Sequence, residues 1–177
     1  MDAGLDKANA AIQSIAYQLV TSIHPSNVQI IGIDPIGLGE KLKGLSPIAV
    51  NQKIYQDESA ISDLLNKKKS HISLVIQKYL STNFSNIDEY NSKAGNNIAE
   101  PYTLICIANF PNGWSSENAK KIMSLASNGV KAGLHLLISW DSNASMPYEF
   151  DPQSVKRYCQ QFIDNGSFFS HQIEVNN

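Results

Sequence analysis

The sequence predicts an α/β domain, a three-layer sandwich whose central sheet is mostly parallel. Two observations carry this. Segments with helical periodicity alternate with short apolar runs along the chain, the pattern of a parallel sheet covered on both faces. Three of those runs, VQIIGI, TLICIA and LHLLIS, are continuously apolar, as strands buried on both faces must be.

Each element has its own local reason. Residues 6–23 place Ala8, Ile12, Ile15, Leu19 and Ile23 on one helical face, widened by Ala11, Ala16 and Val20. His24-Pro25 ends this helix, because the residue before proline is pushed out of the α region. NVQIIGID follows as a short buried strand and breaks at Asp34-Pro35. PIGLGEKLKGLSPI is a glycine-punctuated loop, and QKIYQ reads as a short strand. The longest helix covers about residues 57–80 with Asp57 as N-cap. Its stripe of Ile61, Leu65, Lys68, Ile72, Val75 and Tyr79 is interrupted by Lys67-Lys68-Lys69, so the middle turn is expected to be solvated. NIDEYNSKA is a second helix, with Asn86 and Glu89 spaced as a capping box and Gly95 as its stop. YTLICIANF is a strand, SSENAKKIMSLASN a helix opened by Ser115 and closed by Gly129, and GLHLLISW the next strand. FDPQSVKRYCQQFIDNG is expected to form one helix, with Asp151 as cap, Pro152 in its first turn and Gly166 as its end. SFFSHQIEV reads as a final strand.

Composition narrows the function. At 177 residues the chain fits one domain and can bury roughly 70% of its unfolded surface. Net charge is −2, and Arg157 is the single arginine among 14 basic residues. Arginine is the preferred residue for bidentate phosphate and base contacts, so no strong nucleic-acid-binding surface is visible. Cys106 and Cys159 lie far apart, one in an apolar strand and one on an expected helix. That argues against a disulfide framework and for a reducing, cytoplasmic setting. No apolar run is long enough to span a membrane, so no membrane contact is expected, and the N-terminus lacks signal-peptide character.

The ordered motifs carry a resemblance. IDPIGLG at 33–39, IQKYL at 76–80, EYN at 89–91, AEPY at 99–102 and NFP at 109–111 occur in the order found in a subset of large multidomain FtsK/SpoIIIE proteins. There, such a segment precedes a complete ATPase module. The match covers most of residues 8–140, from the helix that follows the phosphate loop to the sensor strand. It implies a P-loop NTPase-like fold of the RecA/FtsK kind, in a single FtsK-like domain spanning 1–177 within a longer protein.

The chemistry of that family needs a glycine-rich loop ending in Gly-Lys-Ser/Thr, an acid to hold magnesium, and a polar residue to position water. No such loop occurs in the sequence. Gly4 and Lys7 are at best a remnant, because Lys7 is followed by Ala8. Aligning ICIANF on the family's strand puts Ala108 and Asn109 at the two acidic positions, and Trp140 with Asp141 at the sensor positions. Asp34 reads first as a strand-end turn before proline; the alternative is a vestigial phosphate-site carboxylate. The GLG at 37–39 reads as a flexible loop before it reads as an anion cradle. His135, inside an apolar strand, reads as a core histidine. His24, His71 and His171 have no metal-ligand spacing, and no metal is expected. Lys67, Lys68 and Lys69 are either a solvated face or a contact for DNA or an acidic partner. Trp114, after a strand end, is either tucked against its helix or exposed as a partner anchor.

The resemblance therefore implies a non-catalytic docking or regulatory domain with no cofactor. Its partner would be a neighbouring ATPase domain of the same protein or another subunit, and DNA is only weakly supported. In related tandem ATPases, such as those of type VII secretion, extra motor-like domains bind partners or substrates. The alternative is a fragment of an ATP-dependent DNA translocase whose P-loop lies outside this chain; only then would ATP and magnesium bind. A Rossmann-like small-molecule binder is a third reading, and it lacks a nucleotide fingerprint.

Overall fold

The computed structural model describes residues 3–80, 83–95, 98–164 and 169–172. Helix α1 (Ala3–Ser22) leads through a 3-10 turn into β1 (Val28–Ile33), then β2 (Ala49–Tyr55), α2 (Glu58–Val75), α3 (Ile87–Ala94), β3 (Tyr102–Phe110), α4 (Ser116–Asn128) and β4 (Leu134–Trp140). The four strands form one parallel sheet in the order β2-β1-β3-β4. A short helix α5 (Pro152–Lys156) and an antiparallel hairpin of β5 (Gln161–Asp164) and β6 (Phe169–Gln172) follow.

The apolar runs have two faces, and each face has its own cover. Ile31, Ile33, Ile105 and Ile107 meet Ile61, Leu65 and Ile72 of α2 and Ile122 and Leu125 of α4 on one side. Ile30, Leu104, Cys106 and Ala108 meet Ile12 and Ala16 of α1, with Leu42 and Leu45, on the other. Alternation along each strand puts neighbouring residues on opposite faces, which is why a continuously apolar strand needs helices above and below. The helix signals act as their chemistry predicts. Asp57, Asn86 and Ser115 each accept a hydrogen bond from the backbone N–H three residues on. The box at α3 closes one residue early, because Glu89 accepts from the backbone of Ser85 rather than of Asn86. After Val75, α2 widens into a π-helical turn, Ile76–Leu80, where Tyr79 stacks on Tyr90 with ring centroids 4.2 Å apart.

Four expectations are corrected. The helix expected over 150–166 stops at Lys156, and the chain pairs as β5 with β6, Phe162 opposite His171. Among the described residues of that stretch the buried apolar ones, Phe150 and Val155, lie at its start, while Tyr158 and Phe162 are exposed. The last strand joins this hairpin instead of the main sheet; residues 165–168, with Gly166, and 173–177 lie outside the described residues. LHLLIS, whose apolar run was expected to be a strand buried on both faces, lies at an edge of the sheet with Leu136, Leu137 and Ile138 only half-buried. For the same reason His135 is exposed and is not a core histidine. No described helix is long and apolar enough to cross a membrane, and both cysteines are free thiols.

Candidate functional site

The C-terminal ends of parallel strands are where open α/β sheets place their ligands, because the loops diverge there and helix starts converge. Here that edge brings together β3, β4 and the first half of α1. The β3–β4 register shifts between Ile107 and Phe110, and Asn109 sits at φ 51, a left-handed conformation that asparagine tolerates better than most residues.

Three neutral residues close a ring at this point. The Asn109 backbone N–H donates to Ser139 Oγ (2.7 Å), and the Ser139 hydroxyl donates to Asn9 Oδ1 (2.6 Å). Asn9 Nδ2 then donates to Asn109 Oδ1 (2.9 Å). Asn9 and Ser139 are each only 2% exposed. Burial makes such bonds costly to break, since each freed group would stay desolvated.

The composition of the ring decides what it can hold. Magnesium favours hard oxygen donors, carboxylates above all. Both amide oxygens of the ring already accept a hydrogen bond, and Ala108 beside it buries only a methyl group. Among the described residues there is no cluster of three His, Cys, Asp or Glu side chains placed to hold a metal. The residues present do not fit a magnesium–triphosphate group.

The remaining sequence candidates separate. Gly4 and Lys7 lie in the first turns of α1, exposed and in regular helix, not in a loop. Asp34 is fully buried at the end of β1, outside the ring. One of its oxygens accepts from Gly37 N and the other from Lys41 N, both at 2.9 Å, which folds the glycine loop back on itself. Lys41 in turn pairs with Asp6 of α1 at 2.6 Å. Trp140 packs on Phe110, and Asp141 accepts from Asn112 Nδ2 (2.7 Å). Neither joins the ring; Ser139 supplies the polar group from β4. Trp114 is 8% exposed against Phe110, so the exposed-anchor reading gives way to the tucked one.

Of the three lysines, Lys67 and Lys69 are exposed, whereas Lys68 turns inward. Its Nζ donates to Gln29 Oε1 (2.9 Å) and Thr103 Oγ1 (3.3 Å), and burial lowers its pKa. Burial likewise pushes the Cys106 thiol up to about 12, which makes it an inert core group. Sequence reasoning missed Asn9 and Ser139. Their only signal was polarity on otherwise apolar faces, Asn9 one turn before Ile12 and Ser139 after LHLLI.

No protein-family model matches the chain, and no curated protein matches it in sequence. Among solved structures it is similar to EssC (ATPases 2 and 3) from Geobacillus thermodenitrificans, with a TM-score of 0.68 and 15% identity over 87% of this chain and 29% of that one. It is also similar to the cytoplasmic domain of EssC, with a TM-score of 0.67 and 15% identity over 99% of this chain and 40% of that one. At this identity the likeness establishes the fold, the α/β architecture of P-loop ATPase domains. The chain spans less than half the length of either structure.

Proposed function

We propose that this chain is a non-catalytic, FtsK/SpoIIIE-like domain, a docking or regulatory module beside an active ATPase domain in a longer, cytoplasmic protein. The closed ring of Asn9, Asn109 and Ser139 carries the reading. It fills the strand-end position where the fold's chemistry would need an anionic metal site, and it spends its polar atoms on one another. The two structural neighbours support the module arrangement, since one contains ATPases 2 and 3 and both are much longer than this chain. The neighbouring ATPase domain, or another protein subunit, is the proposed partner. Net charge of −2 and a single arginine favour a protein partner over DNA.

Isothermal titration with Mg-ATP, paired with a phosphate-release assay, tests this. The expected result is neither micromolar binding nor turnover. Micromolar binding with measurable turnover would overturn the reading and favour the motor-fragment alternative.

A further inference from the structure

A cavity of about 450 Å³ opens beside β2, the edge strand farthest from β4, and none of the ring residues lines it. Its volume lies within the range of small-molecule sites. Three segments wall it: the glycine turn after β1, the middle of β2, and the entry to α2. The middle of β2 reaches it by leaving the ladder. From Ile30 to Gly32 β1 advances two residues, while β2 advances five, from Ala49 to Ile54. Such a bulge re-aims side chains, and here Gln52 and Lys53 fall within it and line the cavity. Ile54 supplies a buried apolar part of the wall and packs over Gly32, which has no side chain to displace it.

The backbone around this cavity is held in conformations that these residues do not favour. Of the five non-glycine residues with left-handed φ among the described residues, Leu38 (φ 49) and Gln52 (φ 52) line the cavity, and Asn51 (φ 58) precedes Gln52. Asparagine tolerates that region, whereas leucine and glutamine rarely adopt it. Burial does not offset this at Leu38, which is 70% exposed. Gly39 follows at φ 83, and a side chain there would collide with the Gln56 amide. Strain of this kind collects at ligand clamps, where a bound molecule supplies the missing contacts.

The lining is polar and balanced in charge. Lys43 and Lys53 contribute two ammonium groups, Glu40 and Asp57 two carboxylates. These charges are weakly paired within the protein. Glu40 and Lys43 meet at 3.4 Å with both side chains largely exposed. Lys53 makes no ion pair among the described residues and rests 4.9 Å from the Tyr55 ring centroid. Asp57 caps α2 through the Ala60 N–H, which holds its carboxyl below the ordinary value and keeps it charged. The side-chain amides of Gln52 and Gln56 form no hydrogen bond among the described residues, so both are open to a ligand. A ligand of one sign would meet a like charge here, whereas one carrying both signs finds an opposite charge for each. Leu38, Ile54 and Ala60 offer apolar surface to the rest of it.

We propose that this cavity binds a small zwitterion of the α-amino acid class. Lys43 and Lys53 are the partners of its carboxylate, Glu40 and Asp57 those of its ammonium group. The Gln52 and Gln56 amides, each both donor and acceptor, fix its orientation. No residue of the ring at Asn109 takes part, so turnover of Mg-ATP would leave the proposal intact.

The test is an amide NMR titration of the full chain with L-leucine, leucinamide and isocaproate, which share one carbon skeleton. Leucinamide lacks the anionic group and isocaproate the cationic one. Leucine is expected to shift the amides of Leu38, Gln52 and Ala60 saturably, with a Kd of about 1 mM or below. Each singly charged analogue should bind about tenfold or more weakly than leucine. Lys53→Met should weaken leucine binding and leave leucinamide unchanged. Asp57→Asn, which can still cap α2, should weaken leucine as well. L-glutamine repeats the titration with a polar side chain, and saturable shifts at the same three amides from either amino acid support the site. No saturable shift from leucine or glutamine overturns the proposal. Equal binding by a singly charged analogue also overturns it, as does leucine affinity unchanged in both variants. So do saturable shifts confined to Asn9, Asn109 and Ser139, which would move binding to the ring.

Discussion

Ser139 shows how a single residue holds the candidate site. It accepts from the Asn109 backbone and donates to Asn9, so Ser139→Ala strands two buried polar groups at once. A loss of about 2–3 kcal/mol in urea-induced unfolding is expected. Lys68 is a second such residue. Its folded pKa lies below the ordinary 10.5, so the unfolded chain holds the proton to higher pH. Stability from this group therefore rises as pH climbs through the folded pKa toward 10.5, and Lys68→Met should flatten that rise in pH-dependent thermal melts. Cys106 was legible as a buried thiol from its apolar strand. With its pKa near 12 it should resist iodoacetamide at pH 8 in the folded protein and react only on unfolding. What could not be read from residue identity was which polar side chains meet. Asn9 and Ser139 are 130 positions apart in sequence, and only the packing of α1 across β3 and β4 joins them.

Among the elements, the loop after β1 depends most on a local device. Asp34 bonds Gly37 and Lys41, and a side chain at Gly37 would collide with the Asp34 carboxylate. Gly37→Ala must displace that carboxylate, and Asp34→Ala leaves two backbone donors without it. Each is expected to cost about 1–3 kcal/mol and to speed proteolysis between residues 35 and 41, read by limited digestion. The caps and breakers were legible one by one. Asp57, Asn86 and Ser115 sit where they were expected, because a cap is a bond between near neighbours in sequence. The helix expected over 150–166 misled for the opposite reason. Its cap at Asp151 is real, bonding Gln153 N, but a cap starts a helix without fixing its length. Pairing with β6 took the residues after Cys159.

At the scale of the whole molecule, the main sheet and the hairpin are separate units. β5 pairs with β6 and with no strand of the parallel sheet. A chain ending at Gln160 should therefore melt within about 4 °C of the full chain by calorimetry, a difference of about 1 kcal/mol at this size. A larger drop would show that the hairpin helps hold the sheet.

Alone, the sequence determined the alternation of helices and strands, the two-faced apolar character of β1 and β3, and the neutral residues Ala108 and Asn109 near the end of β3. Each of these is a property of a residue or of its near neighbours, set by periodicity, propensity and side-chain chemistry. Strand order, the exposure of His135, the inward turn of Lys68 and the ring at Asn109 were decided only by tertiary structure. An apolar strand looks the same in sequence whether it lies at the centre of a sheet or at its edge. What separates the two is whether another strand lies beside it, and that is set by contacts between residues far apart in the chain.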